Sequence, residues 1–251
     1  MGGHAIRLWE YADTPRVLDL RRRVRDAMEV PPIGAECPAR IDDRYLGEPL
    51  PVRKARAVAA KLAAMPTELW AGQLFAGSHA LEAPRLHYEG PFPDYTTEEE
   101  RARAAARGLS IRSVFGHIVP DYPRLLHLGL RGILAEAEAR RASAEAPGEH
   151  AFLDSVRVAL QAVCDYAERL RAHCAGEAAA CDDPIRSIEL RQMAENLAQV
   201  PAGPALTFWQ ALQSIWLLHM IFHSTLDGNA LGRVDQYVWP YLQADLNAGR
   251  L

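Results

Sequence analysis

Residues Thr207 to Tyr241 read TFWQALQSIWLLHMIFHSTLDGNALGRVDQYVWPY, and the rest of the chain is best understood outward from them. Trp209, Leu212, Ile215, Trp216, Leu218, His219, Ile221 and Phe222 leave almost no polar face, which predicts a helix buried on most sides within a large protein. The run is too short, and too soon followed by polar residues, to span a membrane. Asp227-Gly228-Asn229 then breaks the chain, and Gly232-Arg233-Val234-Asp235-Gln236-Tyr237 opens a second helix. A turn held between two buried helices is a usual place for a pocket wall.

Composition fits such a protein. With 251 residues, 49% of them hydrophobic, the chain can bury a real core. Its formal net charge of −4, with Arg21-Arg22-Arg23 accompanied by Asp19, Asp26 and Glu29, argues against a nucleic-acid footprint. The N-terminal residues MGGHAIRLWEYADTP have neither an apolar signal-peptide core nor a hydroxyl at the sixth position of a myristoylation signal, so a cytoplasmic protein is expected. Cys37, Cys164, Cys174 and Cys181 form no C-x-x-C pair and read as packing residues rather than a metal or disulfide set.

Along the chain, Thr14-Pro15 starts a helix that ends before Pro31-Pro32, and a Pro- and Gly-rich loop runs from Pro31 to Pro51. A second helix spans Val52 to Met65. Thr67 to Gly77 suits a short extended segment or tight turn, and Ala80 to Tyr95 an irregular connection. Thr97 and three glutamates open a helix stopped by Gly108. Ser110 to Val119 reads as a short buried strand or extended turn, after which Asp121 caps a helix with a Leu125, Leu128, Ile133, Leu134 stripe. Ala142 to Gly148 is a solvated link; helices follow from His150 to about Cys174 and from Ile185 to Val200, the second closed by Pro201 to Pro204. The fold class expected is mainly α with a few short strands.

Two motifs carry a resemblance. The FWQALQ helix followed by GRVDQYVWPYLQADLNAGRL is similar to the aromatic-EALQ-x-x-W helix, short turn and GR-x-DQY-x-x-PY pattern of the pyruvate formate-lyase-like glycyl radical enzymes. Gly116-His117-Ile118-Val119-Pro120-Asp121-Tyr122, followed by Leu125-Leu126 and Gly129-Leu130-Arg131-Gly132, matches a second family motif in the right order. Weaker similarity runs from Pro31 through RKARAVAAKLAAMP and Leu74 to Gly77.

The resemblance implies that residues 1–251 form the N-terminal part of a pyruvate formate-lyase domain, cut short of the rest. That domain is an α/β barrel of two parallel half-sheets set antiparallel and wrapped in helices. It implies an anaerobic lyase, dehydratase or formate acetyltransferase acting on a small molecule, homodimeric when full length. A separate S-adenosylmethionine iron-sulfur enzyme would install its glycyl radical. The thiyl loop Gly-Cys-x-Glu and the radical loop Arg-Val-x-Gly-Tyr do not occur in this sequence. No catalytic residue is therefore expected here, no cofactor or metal bound by this chain, and no partnership with nucleic acid or membrane.

His117 is, on composition alone, a satisfied core histidine more often than a site residue. In glycerol-dehydratase-like relatives the equivalent histidine meets substrate hydroxyls, which a neutral imidazole can do as donor and acceptor. Asn229 and Ala230 occupy the turn where those relatives carry a serine-containing, substrate-touching segment, so His117, Asn229 and Ala230 are the substrate-binding candidates. His219 and His223 stand four apart, as zinc ligands would, but without a third ligand packing is the stronger reading. Arg233 and Asp235 read as a buried pair tying the turn to its helix more readily than as catalytic groups. The rival to the enzyme reading is a non-catalytic helical binding or regulatory subunit derived from the same family.

Overall fold

The structure, a computed structural model, describes residues 14–27, 37–77, 92–109, 118–225 and 229–251. Among the described residues eight α-helices form: α1 (Pro15–Ala27), α2 (Leu50–Ala64), α3 (Glu98–Ala106), α4 (Tyr122–Ala142), α5 (Pro147–Ala180), α6 (Pro184–Gln199), α7 (Phe208–Thr225) and α8 (Val234–Asn247). The long α5 is the spine, packed by α2, α4 and α6, while α7 lies against α4, α6 and α8. Leu62, Met65, Tyr166, Leu170, Cys174, Met193 and Leu197 fill the space between them, each 3% exposed or less. No helix among the described residues is long and apolar enough to cross a membrane.

Helix starts follow the local chemistry. Thr97 and Glu100 close a reciprocal capping box on α3, and Asp121 and Asp183 accept amide hydrogens at the starts of α4 and α6. Helix α5 begins three residues before the expected His150 and runs six past Cys174. Its extra turns, AGEAAA, are rich in the best helix former, and Cys174 and Ala178 keep burying one face.

Two expectations are corrected. Among the described residues the only extended pairing is one isolated parallel bridge between Arg40 and Asp94, so short strands do not form there. Of the stretch 110–119, only Ile118 and Val119 are described, and they are irregular and exposed rather than a buried strand. Ile118 offers its carbonyl to a turn, not to a neighbouring strand. The predicted stripe of α4 also shifts: Tyr122, Leu125, Leu126, Gly129 and Leu130 are buried, while Leu128, Ile133 and Leu134 are half-buried. The cause is Gly129, at φ 65° and ψ 172°, which breaks the helical phase. Through that gap the 200–205 loop pairs with α4: Leu130 N donates to Pro201 O (2.8 Å), Arg131 N to Ala202 O (2.9 Å), and Ala205 N to Leu126 O (2.9 Å).

Candidate functional site

Helix α7 is organised by what it does to the 74–77 segment. Trp209 Nε1 donates to Leu74 O (3.0 Å), and Trp216 Nε1 donates to Gly77 O (2.9 Å). Gln213, fully buried between them in sequence, accepts from Ala76 N (2.8 Å) and donates to Ala76 O (3.1 Å). The spacing of four and three residues puts all three side chains on one face, so they read a backbone that has no sheet partner. Gln73 closes the same segment from within, its amide donating to Phe75 O and to Gly77 O. The apolar reading of this helix holds for Ile215, Leu217, Leu218, Met220 and Ile221, but Trp216 is 41% exposed, and Gln213 and Ser214 are buried. An aromatic ring with one N–H is suited to that half-open position.

At the other end of α7 the two sequence motifs meet. Ala230 N donates to Ile118 O at 3.0 Å, and the α-carbon of Gly232, at φ 66°, lies so near Val119 that a β-carbon there would sit 2.8 Å from Val119 Cγ1. Asn229 is buried and Ala230 exposed. His117 and Asp227 lie outside the described residues, although the neighbours of both, Ile118 and Asn229, are placed. Tyr122 stacks on Tyr237 with centroids 6.0 Å apart and planes at 27°, and Tyr237 donates from its hydroxyl to Leu231 O (2.7 Å). The segment 118–122 is thus joined to the turn 229–232 by one backbone hydrogen bond, one close contact and one ring stack.

His219 and His223 do come together, with Nε2 to Nε2 at 3.1 Å, and His219 Nδ1 is 3.0 Å from the Tyr122 hydroxyl. Burial, helped by the neighbouring His223, lowers the pKa of His219 from its ordinary value, and burial raises those of Tyr122 and Tyr237. No cluster of three or more metal-ligating side chains occurs among the described residues, in keeping with packing rather than a zinc site. The Arg233 and Asp235 pair corrects the sequence reading: its 2.8 Å ion pair is exposed, on side chains 69% and 62% accessible, so it ties nothing in the interior. The Tyr122 hydroxyl and the Gln213 amide were missed by sequence reasoning, since neither stands in a recognised chemical motif. The signal available was an isolated polar residue within an apolar run.

A profile of the pyruvate formate lyase-like family, described as "Pyruvate formate lyase-like", matches residues 83–251. The chain belongs to that family of glycyl radical enzymes. Among its curated relatives is the isethionate sulfite-lyase of Oleidesulfovibrio alaskensis, 34% identical over 144 residues, covering 53% of this chain and 17% of that protein. The (2S)-3-sulfopropanediol dehydratase of Klebsiella oxytoca is 30% identical over 138 residues, covering 52% and 17%. The chain therefore spans well under two thirds of these relatives. Among solved structures, one addressing 1,2-propanediol dehydration in Roseburia inulinivorans superposes with TM-score 0.75 at 23% identity, over 96% of this chain and 37% of that one. A glycyl radical enzyme from Archaeoglobus fulgidus gives TM-score 0.66 at 23% identity, over 91% and 38%. These likenesses share the helical arrangement described above.

Proposed function

We propose that this chain builds part of the substrate-pocket wall of a glycyl radical lyase or dehydratase, and that His117, Asn229 and Ala230 are the wall's substrate-facing positions. The observation that carries the reading is the 3.0 Å hydrogen bond from Ala230 N to Ile118 O, which puts the residue after His117 beside the turn. Ile118, Val119 and Leu231 around that bond are exposed apolar side chains. Such a lining suits a pocket that must exclude water and stray hydrogen donors around a radical, with a few oriented polar groups to hold the substrate. Lyase or dehydratase chemistry on a small hydroxylated or sulfonated substrate is favoured over acyl transfer because the relatives reported above carry those activities.

The reaction itself lies outside this sequence. None of its four cysteines stands in Gly-Cys-x-Glu, and no glycine stands in Arg-Val-x-Gly-Tyr. Cys174 is packed in α5 with its thiol pushed up to about 11 by burial, and Cys164 is raised for the same reason. In this proposal the thiyl and glycyl loops, and the barrel they occupy, belong to polypeptide beyond these residues. The whole enzyme is a cytoplasmic, anaerobic homodimer charged by an S-adenosylmethionine iron-sulfur activase, and these 251 residues alone are inactive. Native protein purified anaerobically from its source tests this by electron paramagnetic resonance. A carbon-centred radical split by one α-hydrogen is expected in a species that contains this sequence together with both loops. A native 251-residue species free of radical after exposure to the activase, S-adenosylmethionine and a reductant would overturn it.

A further inference from the structure

Behind the wall, a line of three side chains runs from the core towards the end of α7. The Tyr122 hydroxyl is 3.0 Å from His219 Nδ1, and His219 Nε2 is 3.1 Å from His223 Nε2. Each link needs one hydrogen and one lone pair, so fixing the first link fixes the second. Tyr122 is 0% exposed, burial keeps its hydroxyl protonated, and among the described residues that hydroxyl has no acceptor other than His219. Were His219 to carry its proton on Nδ1, the phenol hydrogen would be buried without an acceptor, which is costly. Tyr122 therefore donates, Nδ1 of His219 accepts, and the proton of His219 sits on Nε2. That proton points at His223 Nε2, which must hold a lone pair, so the proton of His223 is left on Nδ1. A charged His223 would set two N–H groups against each other at 3.1 Å.

We propose that Tyr122 is a positioning residue which, acting through His219, fixes His223 as a neutral imidazole protonated on Nδ1 in the last turn of α7. That turn leads in sequence to the wall residues Asn229 and Ala230. Resting on the pocket-wall reading above, the device supplies an oriented donor without a charge beside a site that works best dry. Tyr122 is well placed for it: it opens α4 directly after the Ile118 and Val119 segment, and its ring leans on Tyr237, which holds Leu231. One side chain thus touches all three elements that make the wall.

The test is the pattern of imidazole nitrogen resonances in the chain labelled with 15N-histidine, read near neutral pH by two-bond proton-nitrogen correlation. The expected result is a pyridine-type Nδ1 and pyrrole-type Nε2 in His219, with the reverse in His223. A pyrrole-type Nδ1 in His219, averaged nitrogens in either ring, or a charged His223 would overturn the proposal. Tyr122→Phe keeps the ring stack and removes only the donor, so both rings should then average between tautomers while the backbone spectrum stays put. Unchanged tautomers in that variant would refute the part given to Tyr122. His223→Gln serves as the second variant, since a Gln oxygen can accept from Nε2–H, and His219 should keep its tautomer; losing it would count against the directed chain. These readouts need no substrate, so they succeed or fail apart from the pocket-wall reading, which is tested by ligand mapping.

Discussion

Replacing Gly129 by alanine should be the most damaging single-methyl change in the chain. At φ 65° and ψ 172° the backbone is in a region held essentially by glycine, and forcing another residue into it costs about 1–3 kcal/mol. The added β-carbon would lie 2.3 Å from Gly203 C, 2.5 Å from Gly203 O and 2.6 Å from Ala202 O. All three are backbone atoms, so no rotamer change relieves the clash and the 201–203 loop must move. That movement strains or breaks the bonds from Leu130 N and Arg131 N to the loop carbonyls, each contributing about 1 kcal/mol. Reducing the freedom of the unfolded chain returns roughly 0.4–1 kcal/mol. The expected net loss is about 3 kcal/mol, large against a total stability of roughly 5–15 kcal/mol. Urea unfolding followed by circular dichroism measures it. The matched control is Gly176→Ala in α5, where a β-carbon meets nothing within 4 Å and a gain of about 0.5–1 kcal/mol is expected. A Gly129→Ala loss below about 1 kcal/mol would refute the reasoning about the kink.

Three further outcomes follow from the same contacts. Gln213→Ala leaves the amide and carbonyl of Ala76 buried without their partners and should cost about 2–4 kcal/mol in the same unfolding assay; a loss under about 1 kcal/mol would show that the segment is held some other way. Arg53 holds the Glu100 carboxyl at about 2, and Arg16 with Arg186 hold Glu189 at about 2. Each depressed carboxyl adds stability that is complete above its ordinary value near 4.5 and is lost as pH falls towards 2. Allowing for solvent screening, this amounts to about 1–2 kcal/mol per site, so Glu189→Gln should flatten the acid limb of a stability-pH curve, and an unchanged limb would contradict the assignment. His219 has its pKa lowered, so the native state resists its protonation, and stability should decline as pH drops below about 6.5 and level out below the depressed value. His219→Gln should remove that decline, and a decline of the same size in the variant would assign it to another group.

Much of the helical frame was legible because its signals are local. Capping residues such as Thr97, Asp121 and Asp183, and the periodic burial along α5, fix starts and faces without reference to the rest of the chain. What escaped was set by distant contacts. The Gly129 break is written by the 200–205 loop, and the burial of Gln213 by the backbone of Ala76. The exposure of the Arg233 and Asp235 pair also follows from tertiary placement rather than from its motif. Of the candidate site, the sequence named the two segments, and the structure joins Ile118 to Ala230. The Tyr122 and His219 pair behind them shows only once α4 and α7 are placed side by side.

The central claim, that the 118–119 and 229–232 segments form one wall facing a small-molecule pocket, is most directly tested by mapping ligand contacts on the 15N-labelled chain. The ligands are a 1,2-diol and a two-carbon hydroxysulfonate, each titrated to millimolar concentration. The account predicts saturable amide shifts centred on Ile118, Val119, Asn229, Ala230 and Leu231, with the two segments responding together. Shifts confined to the groove lined by Cys181, Ser187, Arg191 and Glu195, or to the one lined by Glu48, Arg56, Arg141 and Asp154, would contradict it. So would a chain whose wall amides stay unmoved by either ligand.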